Sequence, residues 1–486
     1  MIKTKIIATI GPACHKEETI KTMIDHGVDI FRLNFSHGTF QEHAEFLKTI
    51  NAARSRHQHT TAVMGDLCGP KIRTGKIQPE GQILQPGDEI TIVPGEQLGT
   101  PKHFGTNYQF FTKDAEIGHR IFIDDGQISL RVINQHDDQT ICQVVVGGPL
   151  FSHKGINLPD SQVSMPSITE QDWLWVDWAI EHGLDFLALS FVRSDTEIKQ
   201  LKTYLEKAGA DINLVAKIEK PQAIEHLESI VQASDAILVA RGDLGVEMDL
   251  AEVPIIQKHI TRICRHLGKP VIVATQMLQS MIEIPTATRA EVSDVANAIM
   301  DSTDAVMLSG ETAVGKYPLD AAQTIQRIAR VTEAYLEQHK HPPARTATSP
   351  DLQQTAAIAY SVDQLVDDID ARLVAVWSQT GTTARLLSKQ RINAPILAFS
   401  SDKRNCQQMS LHYGVISRCH PVPQSLDEFI RLVEDLIISR NWVQAGEKIV
   451  IVLGQSFGAA GTTNAIMVHT VPPDKKGNNA SGNTIS

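Results

Sequence analysis

INLVAKIEKPQAIEHLESIVQASDAILVARGD, residues 212–243, decides the fold. Its two apolar runs, at 212–219 and 236–243, are continuous instead of alternating, which suits parallel strands buried on both faces. Each run ends in charge: Lys217 and Glu219 close the first, Arg241 and Asp243 the second. Six more runs of this kind occur: KIIATIG from Lys5, DIFRLNFS from Asp29, TAVMGDL from Thr61, DFLALSFV from Asp185, PVIVATQM from Pro270 and AVMLSGET from Ala305. Segments of helical periodicity, such as EIKQLKTYLEKAGA, separate most of them. Eight strands alternating with helices predict a (β/α)8 TIM barrel, an α/β fold. A doubly wound open sheet is the second choice, because no phosphate fingerprint follows the first strand.

The rhythm breaks once. Residues 70–167, between the third and fourth runs, are rich in Gly, Pro and Asp turns and in β-type segments (DEITIVPG, HRIFIDDGQISLRVI, TICQVVVGG). They predict an inserted β-barrel lid on the C-terminal face of a barrel built from 1–69 and 168–340. The Pro/Thr/Ser-rich stretch HKHPPARTATSPD then leads into a C-terminal α/β regulatory domain at 341–472, with strands LVAVWS, PILAFS, VISR and KIVIVLG. The polar tail, 473–486, is expected to be disordered.

Composition narrows the class of partner. The 486 residues carry a net charge of −11, which argues against nucleic acid or an anionic membrane as partner. The six scattered cysteines show no metal-ligand spacing, and no apolar run reaches membrane-spanning length, so a reduced, cytoplasmic protein is expected. Locally basic stretches such as GDLCGPKIRTG, 65–75, therefore point to a small anionic ligand.

In a barrel of this kind, chemistry sits at the C-terminal strand ends. Those ends here carry Arg32, Asn34, Ser36 and His37; Asp66, leading to Lys71 and Arg73; Lys217 and Glu219; Arg241 and Asp243; Thr275 and Gln276; Ser309 and Glu311. Glu219 and Asp243 end consecutive strands and so become neighbours, which suits a hard divalent cation, Mg2+ or Mn2+. A glycosidase acid–base pair is the rival, but Lys217, Arg32 and Arg73 should hold both carboxyls ionised. One metal among convergent cations points to a small phosphorylated substrate.

FRLNFSHG, KGINLP, AKIEKPQA, ARGDLGVE, ATQMLQSM and DAVMLSGETAVGKYP together resemble the pyruvate kinase family, in the family's order from about residue 3 to 470. The resemblance implies a homotetrameric, glycolytic phosphotransferase that moves the phosphoryl group of phosphoenolpyruvate to ADP, giving pyruvate and ATP. It implies Glu219 and Asp243 as Mg2+ ligands, Lys217 as the cation on the transferring group, and Thr275 beside the carbon to be protonated. Ser309 would belong to the proton relay, and Arg32 and Arg73 would meet phosphates. Asn34, His37, Gly242, and the lid residues Lys154 and Asp125 would lie on the nucleotide and substrate side.

Many members of that family carry a glutamate where this chain has Lys71, and they need K+. The other K+ ligands, Asn34, Ser36 and Asp66, are kept. Lys71 is therefore expected to supply the charge of K+, so that K+ is not required. Cys68, in the same loop, departs from the family's lysine and is read as a spacer, with an oxidisable thiolate as the alternative.

SQTGTTARLLSKQR follows the strand LVAVW, and its Ser378, Thr380, Gly381, Thr382 and Thr383 predict an allosteric site for the phosphate of an effector. More than one hydroxyl is the reason, since an ordinary helix cap needs only one. GETAVGKY lacks the Ser/Thr of a P-loop, and GQSFG at Gly454 lacks the context of a nucleophile elbow. Trp173, Trp175 and Trp178 share helical spacing and should pack against the barrel or a subunit interface. Two rivals remain: a Schiff-base aldolase using Lys217, and a non-catalytic effector sensor.

Overall fold

The structure, a computed structural model, describes residues 2–55, 60–78, 81–95, 97–100, 102–339, 346, 349–454, 457–458, 461 and 463–473. Most of the linker and the tail from 474 onward therefore lie outside the described residues, as does Ser456 of GQSFG.

Eight parallel strands close on themselves: β1 (Lys5–Thr9), β2 (Val28–Asn34), β3 (Ala62–Asp66), β4 (Phe186–Leu189), β5 (Asn213–Ile218), β6 (Ala236–Ala240), β7 (Val271–Ala274) and β8 (Ala305–Leu308). Each pairs with its neighbours in sequence, and β8 returns to β1. The (β/α)8 barrel stands. Alternate residues explain why the runs are continuous. Ile7, Ile30, Met64, Val215, Leu238, Ile272 and Met307 fill the barrel, while Ile6, Ala8, Leu33, Val63, Leu214 and Val239 face the helices outside. Leu411 of the C-terminal domain joins the inner cluster.

Two strand ends differ from the expectation. ARGD does not extend β6: Arg241–Glu247 is a short helix with Asp243 in its first turn. Likewise Gly310–Ala313 forms a one-turn helix directly after Ser309. Both are too short to show a helical period.

The insertion holds a six-stranded sheet in the order Ile156–Asn157, Arg120–Ile123, Ile128–His136, Gln139–Val146, Glu89–Pro94, His103–Thr106, and a two-stranded one, Gln82–Leu84 with Gly148–Leu150. It has its own core around Phe104, Tyr108, Phe111 and Leu130. The C-terminal sheet runs Val415–Cys419, Ile396–Ser400, Leu373–Trp377, Lys448–Gly454, Thr463–Thr470. Its last strand is antiparallel and was not anticipated, because it is a half-exposed edge without a continuous apolar run.

The tryptophan helix, Glu170–Glu181, begins at a Thr169–Asp172 capping box. Trp175 stacks on Phe35 at 4.3 Å and Trp178 meets the same ring edge-on, so both brace the loop that follows β2. Asp172, fully buried, also accepts from the Cys68 and Gly69 N–H groups and so fixes the loop after β3. Among the described residues no helix is long and apolar enough to cross a membrane. All six cysteines are free, yet Cys406 and Cys419 lie side by side; burial, then Cys419, pushes the Cys406 thiol up to about 12.

Candidate active site

Lys217 is the centre of a buried ionic cluster on the C-terminal ends of β2, β3 and β5. Its Nζ lies 2.8 Å from Glu219 Oε1 and 3.3 Å from Asp66 Oδ1, and donates to Ser190 Oγ at 2.7 Å. Ser190 in turn donates to the Leu67 carbonyl. Arg32 completes the cluster through Nε and Nη2 to Asp66 Oδ2, at 2.7 and 2.6 Å. Burial opposes the charge on Lys217, but Asp66, Glu219 and Asp243 outweigh it and raise the pKa above the usual lysine range. Burial likewise pushes Asp66 up, and Lys217 with Arg32 pulls it below the ordinary carboxylate value. These partners favour the ammonium form of Lys217, which works against the neutral amine that a Schiff-base nucleophile needs.

Glu219 and Asp243 depart from the expectation that cations hold both carboxyls low. Burial raises the pKa of Glu219, Lys217 opposes it, and the charge of Asp243 adds to the rise. Burial also raises Asp243, with Lys217 and Lys71 opposing and Asp125 and Asp66 adding. Glu219 Oε2 accepts from the Phe191 N–H, whereas Asp243 accepts no side-chain hydrogen bond among the described residues. Among those residues no group of three or more His, Cys, Asp or Glu could hold a metal. Two desolvated carboxylates, one of them free to ligate, fit a hard divalent ion that takes its remaining oxygens from substrate and water. Such an ion would relieve the burial cost that Lys217 leaves uncompensated.

Thr275 sits directly after β7 in a left-handed conformation (φ 71°), followed by Gln276 (φ 55°). Non-glycine residues adopt it at a cost of order 1–3 kcal/mol, and such strain clusters at functional sites. The Thr275 hydroxyl accepts from the Gly242 N–H at 2.7 Å and donates to the Ala274 carbonyl. A Cβ on Gly242 would come within 3.3 Å of that hydroxyl, so glycine permits the approach. Arg241 pairs with Asp294 and donates to the Thr275 carbonyl. It holds the strained turn. Glu311 is spent on the backbone N–H groups of Ser309 and Leu278.

A cleft of about 670 Å³ opens between this face and the lid, lined by Lys71, Arg73, Asp125, Lys154, Lys220 and Asp243. Arg73 donates to the His153 carbonyl at 2.7 Å, and Lys154 pairs with Asp124 at 2.9 Å. Arg32 pairs with Asp66 inside the barrel cluster, and Arg73 bonds the lid, and both lie close enough to His37 for their charges to act on it. Burial, then Lys71, Arg73 and Arg32, hold the pKa of His37 below its usual value. Lys71 Nζ donates to Ser36 Oγ at 2.9 Å, while Asn34 Oδ1 accepts from the Ser36 N–H.

The pyruvate kinase barrel-domain family matches residues 1–322, and the pyruvate kinase alpha/beta-domain family matches 356–469. The chain belongs to the pyruvate kinase family. It is similar to a pyruvate kinase of Thermococcus litoralis, 40% identical over 97% of this chain and 99% of that one. A Corynebacterium efficiens pyruvate kinase is 38% identical over 98% and 99%. The crystal structure of a pyruvate kinase from Cryptosporidium parvum superposes with a TM-score of 0.89 at 32% identity, covering 97% and 96%. As a member of this family the protein is a phosphotransferase.

Sequence reasoning missed Ser190, Asp124, Lys220 and Glu247 at this pyruvate kinase-type site. Lys220 and Glu247 stand inside the quoted motifs AKIEKPQA and ARGDLGVE, where their charge was the available signal. The remote phosphate loop also differs in part. Gly381 (φ 77°) precedes the helix Thr382–Lys389, but Ser378 Oγ accepts from the Ala384 N–H, and buried Thr383 bonds Thr463. Exposed Thr380 and half-buried Thr382 are bonded to each other at 3.1 Å.

Proposed function

We propose that this protein transfers the phosphoryl group of phosphoenolpyruvate to ADP in the cytoplasm, as a step of glycolysis. The supporting observation is the Lys217 ammonium beside Glu219, under a lid and next to Asp243. A β-phosphate oxygen of ADP attacks phosphorus, the bond from phosphorus to the enol oxygen breaks, and the enolate takes a proton at its terminal carbon. Lys217 neutralises charge on the phosphoryl group in flight, from a position set in advance by Asp66 and Ser190. Arg73 and Lys154 attract phosphates from the lid, and the closed lid keeps water from the phosphoryl group. Thr275 faces the carbon to be protonated, with Ser309 in the proton relay. When bound through Glu219 and Asp243, Mg2+ or Mn2+ would supply Lewis-acid neutralisation of the phosphate oxygens.

Lys71 serves in place of K+, a phosphorylated effector acts at the C-terminal loop, and the assembly is a homotetramer. The primary test is pyruvate formation from phosphoenolpyruvate and ADP with Mg2+, in K+ and in tetramethylammonium buffers. Equal rates support both the reaction and the Lys71 role. Activity in K+ alone would remove the latter, and no pyruvate in either, with or without phosphorylated effectors, would overturn the reaction.

A further inference from the structure

Glu247 closes the short helix that carries Asp243 in its first turn. Its side chain is 1% exposed, and Oε1 alone receives two donors from different parts of the molecule. Asn157 Nδ2 donates at 2.7 Å and Lys220 Nζ at 2.5 Å. Asn157 belongs to the lid, where it pairs with Phe122 on the strand leading into Asp124 and Asp125. Lys220 follows Glu219 directly and lies over the Phe191 ring. Phe191 is the residue whose N–H holds Glu219. A lid cation, Arg120, also feels the charge of Glu247. The second oxygen, Oε2, is buried without a partner among the described residues.

A buried carboxylate with one oxygen already unpartnered depends on every donor it has. Lid opening withdraws Asn157 and leaves Lys220 as the remaining side-chain donor to Oε1. Closure restores the pair and clamps the helix of Asp243 against the residue after Glu219. Lid position and the spacing of the two candidate metal ligands therefore share one hub.

We propose that Glu247 is the latch of the lid, a positioning residue that couples closure to the placement of Asp243 and Glu219. Its catalytic consequence rests on the phosphoryl-transfer reading; the latch itself does not. Asn157→Ala removes the lid's donor without touching a predicted catalytic or ligand-binding residue.

Hydrogen–deuterium exchange of the ligand-free protein reads the latch directly. In Asn157→Ala, amides of 120–125 and 154–157 should exchange about tenfold faster, the scale of a hydrogen bond to a charged group. Glu247→Ala should match it. Glu247→Gln keeps an acceptor oxygen and should stay near the wild-type pattern. In turnover, Asn157→Ala should raise KM for ADP by about tenfold and increase the share of phosphoenolpyruvate lost to water as inorganic phosphate. Unchanged exchange in Asn157→Ala would overturn the latch even if Glu247→Ala loosens the lid, since Glu247 would then act through packing alone. Failure of the wild type to form pyruvate would remove the phosphoryl-transfer reading and leave the exchange result standing.

Discussion

Lys71 Nζ donates to Ser36 Oγ at 2.9 Å, which holds an ammonium beside the turn where the Ser36 N–H meets Asn34. The same ammonium pulls on the buried Asp243 carboxyl. If this charge does the work of K+, Lys71→Glu should lose at least about tenfold in kcat in tetramethylammonium buffer, and added K+ should restore it. Steady-state rates across a K+ titration decide the matter. A Lys71→Glu enzyme indifferent to K+ would show that the lysine only fills space.

Lys217 is bracketed by Asp66, Glu219 and Ser190. Lys217→Met removes the charge at the reacting centre, and kcat should fall by about 10²–10³. It also leaves buried Glu219 without its cation and Asp66 with Arg32 alone, a loss of about 3–5 kcal/mol of stability. Lys217→Arg separates the effects: it should recover most of the thermal stability but not the rate, because the planar guanidinium cannot occupy the ammonium's point position. Full recovery of kcat by arginine would mean that general positive charge suffices there.

The barrel was legible because its strands are buried on both faces, so Ile6 and Ile7 are apolar for opposite reasons, one against helices and one inside the barrel. The cations and carboxylates at strand ends were legible because an apolar strand has no other reason to carry Lys217 or Asp66. What pairs with what was not legible. Asp66 could have faced any cation, and only the closed sheet brings it to both Arg32 and Lys217. Glu247 read as one more helical charge, because nothing along the chain says that Asn157, ninety residues earlier, returns to it. Nor does anything along the chain say that the Ser378 hydroxyl accepts from the Ala384 N–H or that Thr383 bonds Thr463 on the edge strand.

His412 lies buried where the C-terminal domain meets the barrel base, and its Nδ1 has no partner among the described residues. Burial first, then Arg385, Lys389 and Lys5, drives its pKa well below the usual histidine value. A base whose folded pKa is lowered contributes stability that is fully present above the unfolded value, near 6.5, and is lost as pH falls from there toward the folded pKa. Below pH 6.5 the cost of this one group should steepen toward about 1.4 kcal/mol per pH unit for as long as the folded ring stays neutral. Thermal midpoints from pH 7.5 to 5 should therefore fall less steeply for His412→Asn than for the wild type. Parallel curves would assign the acid sensitivity to other groups.

Exposed Thr380 and half-buried Thr382 bond each other in the C-terminal loop, beside the backbone N–H groups that open the helix Thr382–Lys389. Thr383 instead bonds Thr463, tying this helix to the edge strand. The two kinds of threonine should therefore fail differently. Thr382→Val should weaken activation by a phosphorylated effector, scored with sugar phosphates and AMP, by about tenfold in half-saturating concentration while basal kcat holds. Thr383→Val should cost about 1 kcal/mol of stability and leave the effector response in place. The reverse pattern, a lost response in Thr383→Val with Thr382→Val unaffected, would mean that any effector acts by shifting the helix against Thr463. It would then not be bound by the Thr380 and Thr382 hydroxyls.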